Sequence, residues 1–349
     1  MRYKLLGTSG LRVSELCLGT MTFGDDWGWG ADRTESRRVF DAFAAAGGNF
    51  VDTANSYTGG TSERFVGEFV AGDRDRFVVA TKYTHAERFG DPNAGGNHRK
   101  SLRQAVEASL RRLGTDYIDL LWVHAWDAVT PVDEVLRALD DLIRAGTVLY
   151  VGISDTPAWV VAHANALAEL RGWTRFVGVQ AEYSLIERTA ERDLLPMARA
   201  LDLSLVAWAP LGAGLLTGKY LDTGSSAAGG RIASSDMYRG LLTERNVAIA
   251  GAVATVARDL GRSPAQVALA WLRSRGPEVI PVVGARSADQ LAESLDSLDL
   301  ALGQADAARL DDASTVTLGF PHDFLRWDAV RHMVYGGTHD ALVRPRRAP

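Results

Sequence analysis

The sequence predicts an α/β chain folded as a (β/α)8 TIM barrel, and three observations point there. Short apolar strands alternate with amphipathic helices from residue 16 almost to the end. The strands are brief apolar runs of the kind buried on both faces in parallel sheets. No compositional break divides the 349 residues, so eight strand–helix units favour one closed barrel over two doubly wound domains. The expectation is therefore a single domain over residues 1–349.

The candidate strands, in order, are 16–20 (LCLGT), 49–52 (NFVD), 77–81 (FVVAT), 117–123 (YIDLLWV), 148–152 (VLYVG), 175–179 (RFVGV), 204–208 (SLVAW) and 279–283 (EVIPV). The segments between them have helical spacing; in 101–114 (SLRQAVEASLRRLG), Leu102, Val106, Leu110 and Leu113 share one stripe. Ahead of the first strand, "YKLLGTSGLRVS" has two short apolar runs around "GTSG", which reads as a β-hairpin plugging the bottom of the barrel. Residues 222–240 are rich in Gly and Ser and read as a mobile lid or as disorder. One more helix is expected over 304–314, followed by an aromatic C-terminal segment that begins "GFPHDFLRW" and a frayed tail over 343–349.

Hydrophobic residues make up 46% of the chain, charged residues 23%, and the net charge is −5, the balance of a soluble globular protein. There is no basic run long enough to follow a phosphate backbone, so nucleic acid is not an expected partner. Cys17 is the only cysteine, which excludes an intramolecular disulfide and makes a reducing compartment the default. The N-terminal residues lack a signal-peptide core, and no window reaches the roughly 18 apolar residues of a spanning helix. A cytoplasmic protein is expected, of unspecified oligomeric state. The histidines lack metal-ligand spacing, so no metal is expected.

Chemistry is expected where strand ends converge on the barrel mouth. Asp52 ends the second strand, Lys82 the third and His124 the fourth, and Tyr57 lies five residues beyond Asp52. A carboxylate at the end of an apolar strand is costly unless paired, and Lys82 is its natural partner. A lysine held cationic beside a phenol favours phenolate, so it is expected to lower the pKa of Tyr57 from about 10. A tyrosine tuned in this way is a general acid for a carbonyl oxygen, with a neutral His124 N–H orienting that oxygen. Each residue taken singly also has a structural explanation: a turn, a snorkelling lysine, a packed ring, a satisfied core histidine. Four at three consecutive strand ends make coincidence a poor account.

These residues, with "LGTMTFG" (18–24), "FVDTANSY" (50–57), "TK" (81–82) and "GTDYIDLLWVHAWD" (114–127), resemble the aldo-keto reductases from about residue 3 to residue 316. The likeness extends to the channel beta-subunit-like and deoxysugar-reductase branches. It implies a catalytic tetrad of Asp52, Tyr57, Lys82 and His124, and hydride transfer from NADPH to an aldehyde or ketone with Tyr57 as proton donor. "VHAWD" departs from the commoner "LHWPD" after the histidine.

The resemblance also implies the cofactor's course. Thr20, Met21 and Asp52 are among the cofactor-binding residues, Ser154, Asp155 and Gln180 hold the nicotinamide carboxamide, and Trp208 stacks on the ring. Family members often have Asn where this chain has Asp155; an aspartate accepts from the amide but cannot donate to its oxygen. Residue 155 also suits the N-cap region before Pro157. Residues 210–220 (PLGAGLLTGKY), with Pro210, Leu211, Gly212, Gly214, Leu215 and Lys219, serve the pyrophosphate, with Arg231 nearby and Ala209, just ahead of them, a further cofactor contact. That segment fails both phosphate-loop patterns: Ala213 and Tyr220 break one, and Thr217 stands where the other needs its third glycine. After the last strand come Gly284, Arg286, Ser287, Gln290 and Ser294, the adenosine end. Ser287 and Gln290 also fit a capping box, as does "SPAQ" at 263–266, where no ligand is expected. Arg286 beside a helix N-terminus suits a 2′-phosphate and favours NADPH over NADH. The family's usual Glu-Asn pair reads Glu293-Ser294.

Candidate substrate-pocket residues are Phe23, Trp27, Trp29, Tyr83 and Trp126, with Phe320, Phe324 and Trp327 from the C-terminal segment; such a rim favours a bulky or ring-shaped carbonyl compound. Alternatives are a keto-sugar nucleotide reductase, an NADP(H)-binding redox sensor with slow turnover, and a Schiff-base aldolase built on Lys82. The last needs a neutral lysine, which Asp52 opposes.

Overall fold

The structure is a computed structural model and describes residues 1–221, 232, 238 and 240–343. Strands β1 (Tyr3–Leu5) and β2 (Arg12–Ser14) form an antiparallel hairpin with Tyr3 opposite Ser14. The next eight strands are β3 (Cys17–Gly19), β4 (Phe50–Asp52), β5 (Val78–Tyr83), β6 (Ile118–Val123), β7 (Val148–Ser154), β8 (Gly178–Glu182), β9 (Ser204–Trp208) and β10 (Val279–Gly284). They close into a parallel barrel in chain order, with β10 pairing both β9 and β3. This is the (β/α)8 TIM barrel that the alternation predicts.

Seven of the eight barrel strands lie where expected to within a few residues; β8 starts at Gly178 rather than at 175. Phe176 is buried, but its backbone is claimed elsewhere. Asn165 donates its side-chain N–H to the Phe176 carbonyl at 3.1 Å and accepts from the Phe176 N–H at 2.9 Å. An amide side chain thus takes both polar groups that a strand ladder would use.

Two-residue periodicity sorts the side chains. Cys17, Phe50, Val78, Ala80, Leu120, Trp122, Val206 and Ile280 fill the barrel interior together with Leu6 and Val13 of the hairpin. Leu18, Val51, Val79, Tyr83, Leu121, Val123 and Leu205 face outward into the larger core under the helices. Trp122 spans the interior, and a Cβ at Gly152 would lie 2.2 Å from its ring, so only glycine fits there. The hairpin closes the end where strands begin: Lys4 Nζ donates to the Val279 carbonyl at 2.7 Å, and Gly7 N–H to Ser204 Oγ at 2.8 Å.

Helices α1 (Arg33–Ala45), α2 (Thr61–Val70), α3 (Arg99–Leu113), α4 (Val132–Arg144), α5 (Ala158–Arg171), α6 (Leu194–Ala200), α7 (Glu244–Leu260), α8 (Pro264–Ser274) and α9 (Ala288–Leu295) surround the barrel. In α3, Leu102, Val106 and Leu113 are buried, and Gly114 stops the helix in the left-handed region at φ 62°. The C-terminal segment adds α10 (Gln304–Ala313), α11 (His322–Arg326) and α12 (Asp328–Tyr335). The lid expected over 222–240 lies outside the described residues apart from Ile232, Tyr238 and Gly240, as do Arg231 and the tail from 344 onward. No helix among the described residues is long and apolar enough to cross a membrane.

Candidate active site

Strand periodicity aims the expected residues inward. Asp52 shares its face of β4 with Phe50, and Lys82 shares its face of β5 with Val78 and Ala80; these three apolar residues belong to the interior cluster. His124 follows β6 two residues after the interior Trp122. Because β4, β5 and β6 are neighbours in the barrel, these positions share one end of it. Tyr57 arrives from the turn between β4 and α2, where Thr58 adopts φ 47°.

Lys82 is fully buried and spends all three ammonium hydrogens. They go to the Asp52 carboxylate, to the Thr53 carbonyl at 2.8 Å and to the Tyr57 hydroxyl oxygen at 3.2 Å. The second Asp52 oxygen accepts from the Gln180 amide at 3.1 Å. Burial opposes the lysine's charge, yet Asp52 and Tyr57 together hold its pKa above the ordinary value. The Tyr57 ring meets His124 edge to face with centroids 5.9 Å apart, and Lys82 Nζ lies 4.7 Å from the tyrosine centroid. The expectation of a lowered phenol pKa is corrected here. Burial raises it by more than Lys82 lowers it, and Asp52 adds to the rise, so the net shift is upward. His124 is pushed well below the ordinary histidine value by burial, then by Lys82 and His85, which leaves a neutral imidazole.

The other strand ends carry the residues expected beside a flat ligand. Ser154 pairs with Gln180 in register, and its hydroxyl is buried without a hydrogen-bond partner among the described residues. Trp208 donates its indole N–H to Asp155 at 3.0 Å. Asp155 has φ 45°, a left-handed conformation that Asp and Asn tolerate best. It does not cap the next helix: Pro157 holds the N-cap of α5, with no side-chain cap bond. Thr20 commits its hydroxyl to the Asp52 carbonyl at 3.0 Å, while Met21 is half-buried.

Beyond β9 the chain runs through left-handed turns at Ala209 (φ 49°), Gly212 (φ 53°), Ala213 (φ 53°) and Gly214 (φ 93°). Leu215 and Leu216 are buried and anchor this segment, so Leu215 can offer a ligand only its backbone. A Cβ at Gly214 would come within 2.9 Å of Lys219 Nζ. After β10, Ser287 caps α9 by accepting from Gln290 N–H at 3.3 Å, while the Gln290 side chain accepts from Arg286 N–H at 2.9 Å. Ser263 and Gln266 make the full capping box at α8. Ser294 is buried and donates to the Gln290 carbonyl at 3.1 Å. No sequence motif pointed to Glu35, whose carboxylate reaches across from α1 to accept from Ala288 N–H at 2.8 Å.

Two pocket candidates are corrected. Phe23 is fully buried against Phe69 at 6.1 Å, and Tyr83 is fully buried and donates to the Asn97 carbonyl at 3.2 Å. Tyr83 follows Lys82 directly, so the pleat turns it outward into the core. Trp27, Trp29 and Trp126 retain exposed surface, and the first two rings lie 5.6 Å apart. Phe320, Phe324 and Trp327 form an exposed chain of rings tied to the β8–α6 connection by Arg192, which donates to the Phe320 carbonyl at 3.0 Å.

Glu182, opposite Trp208 at the end of β8, is a residue the sequence did not single out. Burial first, then Glu187 and Asp155, push its carboxyl up to about 7. An unfolded-state glutamate ionises near 4.3, so the native state loses stability as pH climbs from about 4 through about 7. Glu182→Gln is therefore expected to raise the melting temperature near pH 8 and to leave it unchanged near about pH 4. An equal gain at both would assign the effect to packing.

A sequence model described as "Aldo/keto reductase family" matches residues 15–315. Among curated relatives, the chain is 40% identical to "Norsolorinic acid reductase" of Aspergillus flavus over 331 residues, 92% of this chain and 83% of the relative. It is 37% identical to "Aldo-keto reductase ausK" of Emericella nidulans, covering 92% of this chain and 84% of the relative. It is 39% identical to "Aryl-alcohol dehydrogenase [NADP(+)]" of Phanerodontia chrysosporium, covering 90% and 86%. A closed parallel barrel, a lysine and an aspartate joined at its mouth, and a match along most of the chain lead to one conclusion: this protein is an oxidoreductase that belongs to the aldo/keto reductase family.

Proposed function

We propose that the protein reduces an aryl aldehyde or ketone to its alcohol, with NADPH as hydride source and Tyr57 as proton donor. The observation that carries this reading is the Lys82 ammonium, which donates to Asp52, Thr53 and Tyr57 at once. The Tyr57 oxygen accepts from Lys82, which leaves the phenol hydrogen for a substrate oxygen. A neutral His124 N–H is the second donor to that oxygen, and together they stabilise the charge that develops on it.

A reduced nicotinamide, when bound, supplies hydride to the carbonyl carbon. The residues present fit it. The unpartnered Ser154 hydroxyl and the Gln180 amide offer both donor and acceptor to a carboxamide. Trp208, its indole fixed by Asp155, offers a stacking face. The left-handed turns at 209–214, with Lys219, suit a pyrophosphate, with Arg231 as a further candidate. Thr20 and Met21 flank the nicotinamide side, and Arg286 at the start of α9 suits a 2′-phosphate. Arg286→Ala is expected to raise KM for NADPH about tenfold and KM for NADH less than about twofold. Equal changes with the two cofactors would remove the phosphate contact.

An aromatic substrate is supported by the exposed surface of Trp27, Trp29 and Trp126 and by the name of the Phanerodontia relative, an aryl-alcohol dehydrogenase. The buried lone Cys17 suits a reducing compartment, so a cytoplasmic location belongs to the proposal. Steady NADPH consumption with a panel of aryl aldehydes, aliphatic aldehydes and keto-sugar nucleotides tests it. Turnover confined to the sugar nucleotides would overturn the aryl assignment, and tight NADPH binding without turnover would overturn the enzyme.

A further inference from the structure

Resting on the carbonyl-reductase reading, we propose that His85 is a positioning residue that holds the His124 imidazole in its working orientation by stacking on its face. A histidine that serves a reaction through one ring nitrogen usually has its orientation set by a hydrogen bond at the other. His124 lacks that bond: its Nδ1 is buried and has no partner among the described residues. The nitrogen that can face a substrate is then Nε2, on a ring that no hydrogen bond at Nδ1 restrains.

What the ring does have is a neighbour. The His85 imidazole lies over it with centroids 3.8 Å apart and planes 23° from parallel. Tyr57 supplies only an edge, at 5.9 Å and 79°. A face-on stack limits tilt in both directions, which an edge contact does not.

His85 is itself held firmly. Its Nδ1 is 3.2 Å from Ser56 Oγ, and its carbonyl accepts from the Asn55 amide at 3.1 Å. Asn55 and Ser56 belong to the same turn as Tyr57, so one turn places the proposed acid and steadies the stacking ring. Asn55 also donates to Glu87 at 3.1 Å, and Arg112 of α3 grips Glu87 with two bonds of 2.9 and 3.0 Å. The residue before His85 bears the conformational cost. Thr84 is β-branched yet adopts φ 105°, held by Gly96 N–H on its carbonyl at 2.8 Å and by Asn97 on its hydroxyl at 2.9 Å. Strain of this kind persists only where the surroundings over-determine it. Here it turns the chain at the end of β5 so that His85 meets His124.

The test compares the full-length wild type with His85→Ala and His85→Phe, each first checked for an intact fold by thermal unfolding. With an aryl aldehyde and NADPH, His85→Ala is expected to lower kcat about tenfold and change KM less than about twofold, because alignment matters most as charge develops on the oxygen. His85→Phe, which restores a flat ring without imidazole nitrogens, is expected to recover kcat to within about threefold of wild type. Nitrogen-15 NMR of the His124 imidazole gives a readout apart from turnover: sharp signals of a single ring state in wild type and His85→Phe, broadened or doubled signals in His85→Ala. Should His85→Ala fail to fold, His85→Phe and Ser56→Ala carry the same comparison. Unchanged kcat and NMR signals in His85→Ala would overturn the proposal, as would a His85→Phe variant no better than His85→Ala. A wild type inactive on every carbonyl compound would instead sink the functional reading, and the NMR comparison would still decide the stack.

Discussion

Tyr57→Phe is expected to lower kcat/KM for an aryl aldehyde by about 10² to 10⁴-fold, the range of a lost general acid, while NADPH still binds. Phenylalanine keeps the ring that meets His124 and lies beside Lys82, and removes only the hydroxyl. Cofactor affinity, read by fluorescence titration, should stay within about twofold, which separates lost chemistry from lost binding. The raised phenol pKa sets the pH profile. Tyr57 stays protonated through neutral pH, so aldehyde reduction should be flat there and fall only in the alkaline range. Alcohol oxidation needs the phenolate and should rise across the same range. A Tyr57→Phe enzyme of wild-type rate would assign the proton to another donor.

Asp52→Ala is expected to cost about 3–5 kcal/mol of stability and to abolish turnover, because it leaves the Lys82 ammonium buried without a counter-charge. Gln180 loses its acceptor in the same step. Lys82→Met is the mirror case: the Asp52 carboxylate keeps the Gln180 amide but loses the cation. The double variant Asp52→Ala/Lys82→Met removes both charges and should be more stable than Asp52→Ala while remaining inactive. Chemical unfolding midpoints of the four proteins measure the coupling. If the double variant were no more stable than Asp52→Ala, the pair would not be coupled as its geometry requires.

Much of the fold was legible because its signals are local. Short apolar runs and helical stripes report on neighbours a few positions away, and eight strand–helix pairs in alternation allow few architectures. The four tetrad positions were legible for the same reason: consecutive strands of a parallel barrel are neighbours, so polar residues at their ends meet without further information. Where legibility stopped, a long-range contact had intervened. Asn165 delays the start of β8 by using up the Phe176 backbone, and nothing in "RFVGV" announces that.

The sequence by itself determined a barrel, through its strand–helix alternation, and an Asp52–Lys82–Tyr57–His124 meeting point, through consecutive strand ends, while the family came from the resemblance of its motifs. Only the tertiary structure decided the sign of the Tyr57 shift, which is a balance of burial against the Lys82 charge. It also turned Phe23 and Tyr83 into core: Phe23, in the β3–α1 connection, packs on Phe69 of α2, and the pleat of β5 turns Tyr83 outward under the helices. And it laid His85 on His124, through a strained Thr84 and a turn shared with Tyr57, an arrangement made by contacts between loops that no local pattern encodes.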